Sequence, residues 1–106
     1  METSPNTSPG LSSVLALVAS VYGVPRRELA RRRSRKGARP RAVAIYLAHT
    51  ILSMGFAEIG EGLRRHRSTA FHAVRRIEAL RDEDAKTDQL LTWLEGVLVA
   101  GKETAQ

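Results

Sequence analysis

Ala57-Glu58-Ile59-Gly60-Glu61-Gly62-Leu63-Arg64-Arg65-His66-Arg67-Ser68-Thr69-Ala70-Phe71-His72-Ala73-Val74-Arg75-Arg76-Ile77 is the stretch that decides the fold. Ala57 to Leu63 reads as a short helix with Ile59 and Leu63 inward. Arg64 to Arg67 reads as a tight turn. Ser68 to about Arg81 reads as a second helix, with Ala70, Val74, Ile77 and Leu80 on its buried side. Two helices joined by a tight turn, the second presenting polar residues, form the helix-turn-helix arrangement. Ser68, Thr69, His72, Arg75 and Arg76 lie off the buried stripe, at the i, i+3, i+4, i+7 spacing of one face. Small hydroxyls and a histidine near a helix start can reach base edges. Arginines a turn or two later suit phosphates.

The flanking sequence is also helical. Val14, Leu17, Val18 and Val21 recur on one face of a helix from Leu11 to Tyr22, and Gly23 ends it. Pro25 to Leu29 reads as a short helix starting on proline. Pro40 suits the first turn of a helix running to Met54, with Val43, Leu47, Ile51 and Met54 buried and Gly55 as its stop. Asp82-Glu83-Asp84 mark a break before a last helix, which runs to about Ala100 with Gly101 after it. Its inward residues are Leu90, Leu91, Leu94, Val97 and Leu98. No strand pattern and no repeat emerges, so the fold class is all-α, with five to six helices. Residues 1–10, rich in Ser, Thr, Pro and Asn, read as a disordered tail. Residues 11–100 read as the domain and 101–106 as a C-terminal tail.

Charge is distributed unevenly. From Arg31 to Arg41, seven of eleven positions are cationic and none is acidic. From Arg26 to Arg41 nine cations face one anion, Glu28, while from Ile77 onward three cations face seven anions. A basic loop clamped between helices points its charge in a fixed direction, and phosphate backbones are the usual target. A plain solvated loop is the alternative for such a run. Arginine outnumbers lysine 14 to 3, which suits bidentate phosphate contacts but equally reflects a general compositional bias.

Other chemistry finds little support. The chain has no cysteine, which excludes disulfides and thiolate metal sites. No apolar run reaches the ~18 residues of a membrane span, and the N-terminus lacks the order of a secretory signal. A soluble cytoplasmic protein is the expectation. His66 and His72 have no third metal ligand at useful spacing, so neither a metal nor any other cofactor is expected. Glu58 and Glu61 lack a cleft-forming partner, so no enzyme is expected. His49 reads as a surface histidine, Tyr46 and Phe71 as partly buried, and Trp93 as core or interface.

With these residues in hand, the chain from about Leu11 to Leu98 resembles the C-terminal DNA-binding domain of the bacterial replication initiator DnaA. The residues carrying the resemblance are Arg32-Arg33-Ser34-Arg35-Lys36-Gly37-Ala38-Arg39-Pro40-Arg41, Glu58-Ile59-Gly60, and Ser68 to Glu78. They match the family's basic loop ending in A-R-P-R, its E-I-G, and its R-D-H-T-T-V-x-H-A run. The resemblance implies a Trp-repressor-like helical domain that binds double-stranded DNA. It implies that Arg33 enters the minor groove, and that Arg35, Arg39 and Arg41 hold phosphates or the loop itself. It aligns Ser68, Thr69 and His72 with the base-reading positions, and Arg76 with a backbone-contacting one. Arg65, His66 and Arg67 complete the expected contact set.

The chain departs from the family at that point. His66-Arg67 stand where the family has the Asp-His that helps read bases. Arg64-Arg65 stand where it usually has a glycine pair, and the turn is one residue shorter. Phosphate attraction should rise, while base discrimination falls or is re-aimed, at roughly 1–3 kcal/mol per lost contact. The G-x-x-x-x-G-K-[ST] phosphate loop of the family's motor is absent. The expected function is therefore that of a free-standing DNA-reading module at the nucleoid, regulating replication initiation or transcription. The alternative is a protein-interaction module with a degenerate DNA surface, docking on the initiator or another partner. Its oligomeric state is left open.

Overall fold

The computed structural model describes residues 9–104, so most of the expected tail, residues 1–8, lies outside it, while Pro9 and Gly10, also read as tail, are helical. Six helices follow in order: α1 (Pro9–Tyr22), α2 (Arg26–Ala30), α3 (Arg35–Thr50), α4 (Phe56–Leu63), α5 (Arg67–Glu83) and α6 (Ala85–Thr104). No strand occurs among the described residues.

Helix α3 is the axle of the fold. Seven consecutive residues, Ala42 to Ala48, are buried, so this stretch of the helix is enclosed on every side. Ala42, Ala44 and Ala48 are small, which lets α1, α2, α4 and α5 pack closely around it. Val43, Leu47, Leu29, Ile59, Ile77, Leu91 and Leu94 have no exposed surface, and each such side chain contributes about 1.5–3 kcal/mol on burial. α6 packs on α5.

The periodicity located the helices but misjudged some faces and ends. On α1 the buried stripe is Leu11, Val14, Leu15, Val18 and Ala19, while Leu17 is half-buried and Val21 exposed. Helix α3 starts at Arg35, not Pro40, because Ser34 caps it: its Oγ accepts from the Gly37 N–H at 3.0 Å. Pro40 is therefore an interior residue that cannot donate the helical bond to the Lys36 carbonyl. The cap and the close packing of α3 on α2 outweigh that loss.

At its other end α3 stops at Thr50, before Gly55. Ser53 takes a left-handed conformation (φ 58°), and Gly55 becomes the cap residue of α4. His49 is half-buried and not a plain surface residue. Its Nδ1 donates to the Met54 carbonyl at 2.9 Å, and its ring stacks on Phe56 at 4.3 Å. Ile51 and Leu80 are half-buried.

Asp84 alone separates α5 from α6. Its carboxylate accepts from the Lys86 N–H at 3.1 Å and the Thr87 hydroxyl at 2.7 Å, which starts the new helix. α6 then runs through Gly101 to Thr104, past the expected end at Ala100. A glycine near a helix end costs only about 1 kcal/mol. Val97 is exposed and Leu90 and Leu98 half-buried. Trp93, 55% exposed, lies outside the core.

Candidate nucleic-acid interface

The loop Arg31–Ser34 is held from behind. Arg41, half-buried on α3, donates through Nη1 to the carbonyls of Leu29 at 3.1 Å and Arg31 at 2.9 Å. Arg65, in the α4–α5 turn, donates to the Ala30 carbonyl at 3.3 Å. Glu28 accepts from the Ser34 hydroxyl and from Arg31 Nη1 at 3.3 Å. The Ser34 hydroxyl, and then the Arg31 charge, hold the Glu28 carboxyl below the usual range. Gly37 makes the approach possible, since a Cβ there would collide with the Glu28 backbone carbonyl. The Leu29, Ala30 and Arg31 carbonyls are thus held by arginines, while the Arg32 and Arg33 side chains are exposed.

The helix-turn-helix is α4, a turn at Arg64–His66, and α5. Gly60 is required at the corner, because a Cβ would sit 2.6 Å from the Arg65 carbonyl. Arg64 adopts the left-handed conformation (φ 58°, ψ 46°), and the Arg65 N–H donates back to the Gly60 carbonyl at 2.8 Å. His66 caps α5: its Nδ1 accepts from the Ser68 N–H at 3.1 Å and lies 2.9 Å from the Ser68 hydroxyl. That nitrogen is therefore unprotonated and the ring hydrogen sits on Nε2.

Arg67, Ser68, His72 and Arg76 are exposed along α5, and Thr69 is half-buried. Arg41, Thr69, His72 and Arg76 surround a cleft of about 300 Å³ between α3 and α5, with Ala38, Ala42 and Ala73 between them. On the other flank Phe71, 40% exposed, meets Phe56 edge-on at 5.6 Å and carries the Arg75 guanidinium 5.6 Å above its ring.

Most of the expected contact residues therefore fall in two groups. Arg33, Arg41 and Arg65 lie in or against the loop. His66, Arg67, Ser68, Thr69, His72 and Arg76 run from the cap of α5 to its middle, and the cleft brings Arg41 together with Thr69, His72 and Arg76. Arg35 is exposed in the first turn of α3. Arg39 stands apart, because its charge acts on Tyr22 and on Asp84, at the opposite end of α5 from Ser68. Burial lowers the Arg41 pKa, as does the neighbouring Arg65 charge. Burial and the Arg32 charge do the same to Arg65. Arg32, Arg41 and Arg65 thus act on one another as like charges, while the nearby acid, Glu28, pairs with Arg31.

Sequence reasoning missed Arg81. Its side chain is largely buried and donates to Asp88 and Glu95, both at 2.6 Å, to Thr92 at 3.0 Å, and to the Tyr46 hydroxyl at 3.2 Å. Glu95 first, then Asp88 and Tyr46, raise its pKa. Carboxylates seven and fourteen residues downstream gave the only signal, and it appears only once α6 folds back. Among the described residues no group of three His, Cys, Asp or Glu could hold a metal ion, and no helix is long and apolar enough to cross a membrane.

Fold and site together define a helix-turn-helix module with a cationic face. The family described as bacterial dnaA protein helix-turn-helix matches residues 11–77. The chromosomal replication initiator protein DnaA of Rhizobium meliloti (strain 1021) is 42% identical over 79 residues, covering 72% of this chain and 16% of that protein. Its counterpart in Sphingopyxis alaskensis is 41% identical over 81 residues, covering 74% and 18%. A solved structure of replication initiator DnaA bound to AMPPCP and single-stranded DNA superposes with a TM-score of 0.72 at 26% identity, over 82% of this chain and 27% of that one. The chain belongs to the bacterial DnaA helix-turn-helix family, and it spans less than a fifth of the length of these curated relatives.

Proposed function

We propose that the chain binds double-stranded DNA and acts by occupancy, without chemistry, to regulate replication initiation or transcription at the nucleoid. The observation that carries this reading is the Arg65 bond to the Ala30 carbonyl, which ties the helix-turn-helix corner to the arginine loop. Two reading elements are thereby held in one orientation: α5 for a major groove and Arg33 for the adjacent minor groove. Ser68, Thr69 and His72 face base edges, while Arg35, Arg67 and Arg76 face phosphates. His66 acts mainly as the cap that aims α5. Arg41 acts through the loop, and Arg39 acts at the far end of α5, beside Asp84.

Anisotropy titration of a labelled duplex with the wild type and the Arg76→Ala variant tests the reading. Weaker binding on every sequence, with a flatter salt dependence, supports the phosphate role of Arg76. Altered sequence preference contradicts it, and a wild type that does not bind removes the reading altogether. A second reading, docking on the initiator or another protein, is favoured by the exposed Trp93 and Val97 on α6.

A further inference from the structure

A groove of about 690 Å³ runs between α2 and the α4–α5 turn, and five arginines line it: Arg26, Arg27, Arg32, Arg64 and Arg65. Its apolar lining comes from Leu15, Leu29 and Leu63, and no carboxylate lines it. The nearby acid, Glu28, is already engaged by Ser34 and Arg31. Arg26 reaches the Ser12 hydroxyl at 2.9 Å, and Arg65 gives one N–H to the Ala30 carbonyl. The guanidiniums of Arg27, Arg32 and Arg64 make no hydrogen bond among the described residues, while the Arg27 charge acts on Glu28 and the Arg32 charge on Arg65. Five guanidiniums around one groove repel one another unless an anion enters. The guanidinium fork matches a phosphate in geometry as well as charge.

We infer that this groove seats phosphodiesters of a duplex beyond the segment engaged by α5 and Arg33, lengthening the DNA footprint on that side. The inference rests on the DNA-binding reading above. Arg32 adjoins Arg33 in the loop, and Arg64-Arg65 lead directly into the cap of α5. The groove therefore shares its walls with both elements that hold the duplex, and a strand continuing past either one meets these arginines. An acidic peptide would have no such anchor.

The test compares a short duplex, covering one recognition site, with one extended by about one helical turn on each side. The variant is Arg27→Gln with Arg64→Gln, at two exposed positions, and its melting curve checks the fold. The wild type is expected to bind the extended duplex about tenfold more tightly, with a salt slope steeper by about two. The double variant is expected to lose that gain while binding the short duplex within about threefold of the wild type. Equal loss on both duplexes, or no length-dependent gain in the wild type, overturns the groove assignment but leaves the DNA reading intact. Failure of the wild type to bind the short duplex at low salt overturns both. Binding of an oligoglutamate peptide that needs Arg27 and Arg64, without a duplex-length effect, overturns it in favour of a protein partner.

Discussion

Arg41 holds the carbonyl of Arg31 at 2.9 Å, so an arginine inside the basic run fixes the backbone of that run. The same nitrogen reaches the Leu29 carbonyl. Replacing Arg41 with Ala leaves both carbonyls without this charged donor and should lower unfolding free energy by about 2 kcal/mol. Urea denaturation measures it. Arg41→Lys should recover only part, because a single ammonium lacks the guanidinium's fixed reach. An unchanged midpoint in Arg41→Ala would mean that the loop needs no such support.

Arg64 occupies a left-handed conformation that glycine adopts without steric cost. Arg64→Gly should raise stability by about 1 kcal/mol, seen as a melting temperature several degrees higher. A lower melting temperature would show that the Arg64 side chain does more for the fold than its backbone strain costs.

Glu28 and Asp84 both titrate below their usual carboxylate values, Glu28 chiefly through the Ser34 hydroxyl and Asp84 chiefly through Thr87. Their folded pKa values are depressed, so their stabilisation is fully present above the unfolded values. It is lost as pH falls through the lowered folded ones. Melting temperature should therefore drop on acidification below the ordinary carboxylate range. Glu28→Gln should make that drop shallower, and an identical acid limb in wild type and variant would remove Glu28 from the account.

Arg81 joins three helices through Asp88, Glu95, Thr92 and Tyr46. Arg81→Ala leaves Glu95 and Asp88 unpaired and should cost roughly 2–3 kcal/mol, at the low end for an ion pair because Asp88 is partly exposed. DNA affinity per folded molecule should stay unchanged, since the network lies between α3, α5 and α6. Denaturation and anisotropy on the same variant separate the two effects.

What could be read from the sequence was local. Ile59, Ala70, Val74 and Ile77 placed the helix-turn-helix, because a short period on adjacent helices suffices. The start of α3 was misjudged because a proline at position 40 is a stronger local signal than a serine at position 34 whose capping depends on Glu28. Val21, Val97 and Trp93 are apolar yet exposed, since apolar residues also populate surfaces. The loop-holding role of Arg41, the capping role of His66 and the arginine groove were hidden. Each depends on backbone groups or on side chains brought together from distant positions.

The most direct measurement is fluorescence anisotropy with three duplexes, one carrying the DnaA box, one scrambled and one A/T-rich, across a salt series. The account predicts binding to all three at low salt, with log K falling against log salt at a slope of about −4 to −6 for about five to seven neutralised phosphates. It predicts that Arg33→Ala loses most on the A/T-rich duplex, whose narrow minor groove attracts arginine. A box preference of about tenfold or more would mean that the family's readout survives His66-Arg67. No binding to any duplex at low salt, or equal losses in Arg33→Ala on all three, would contradict the account.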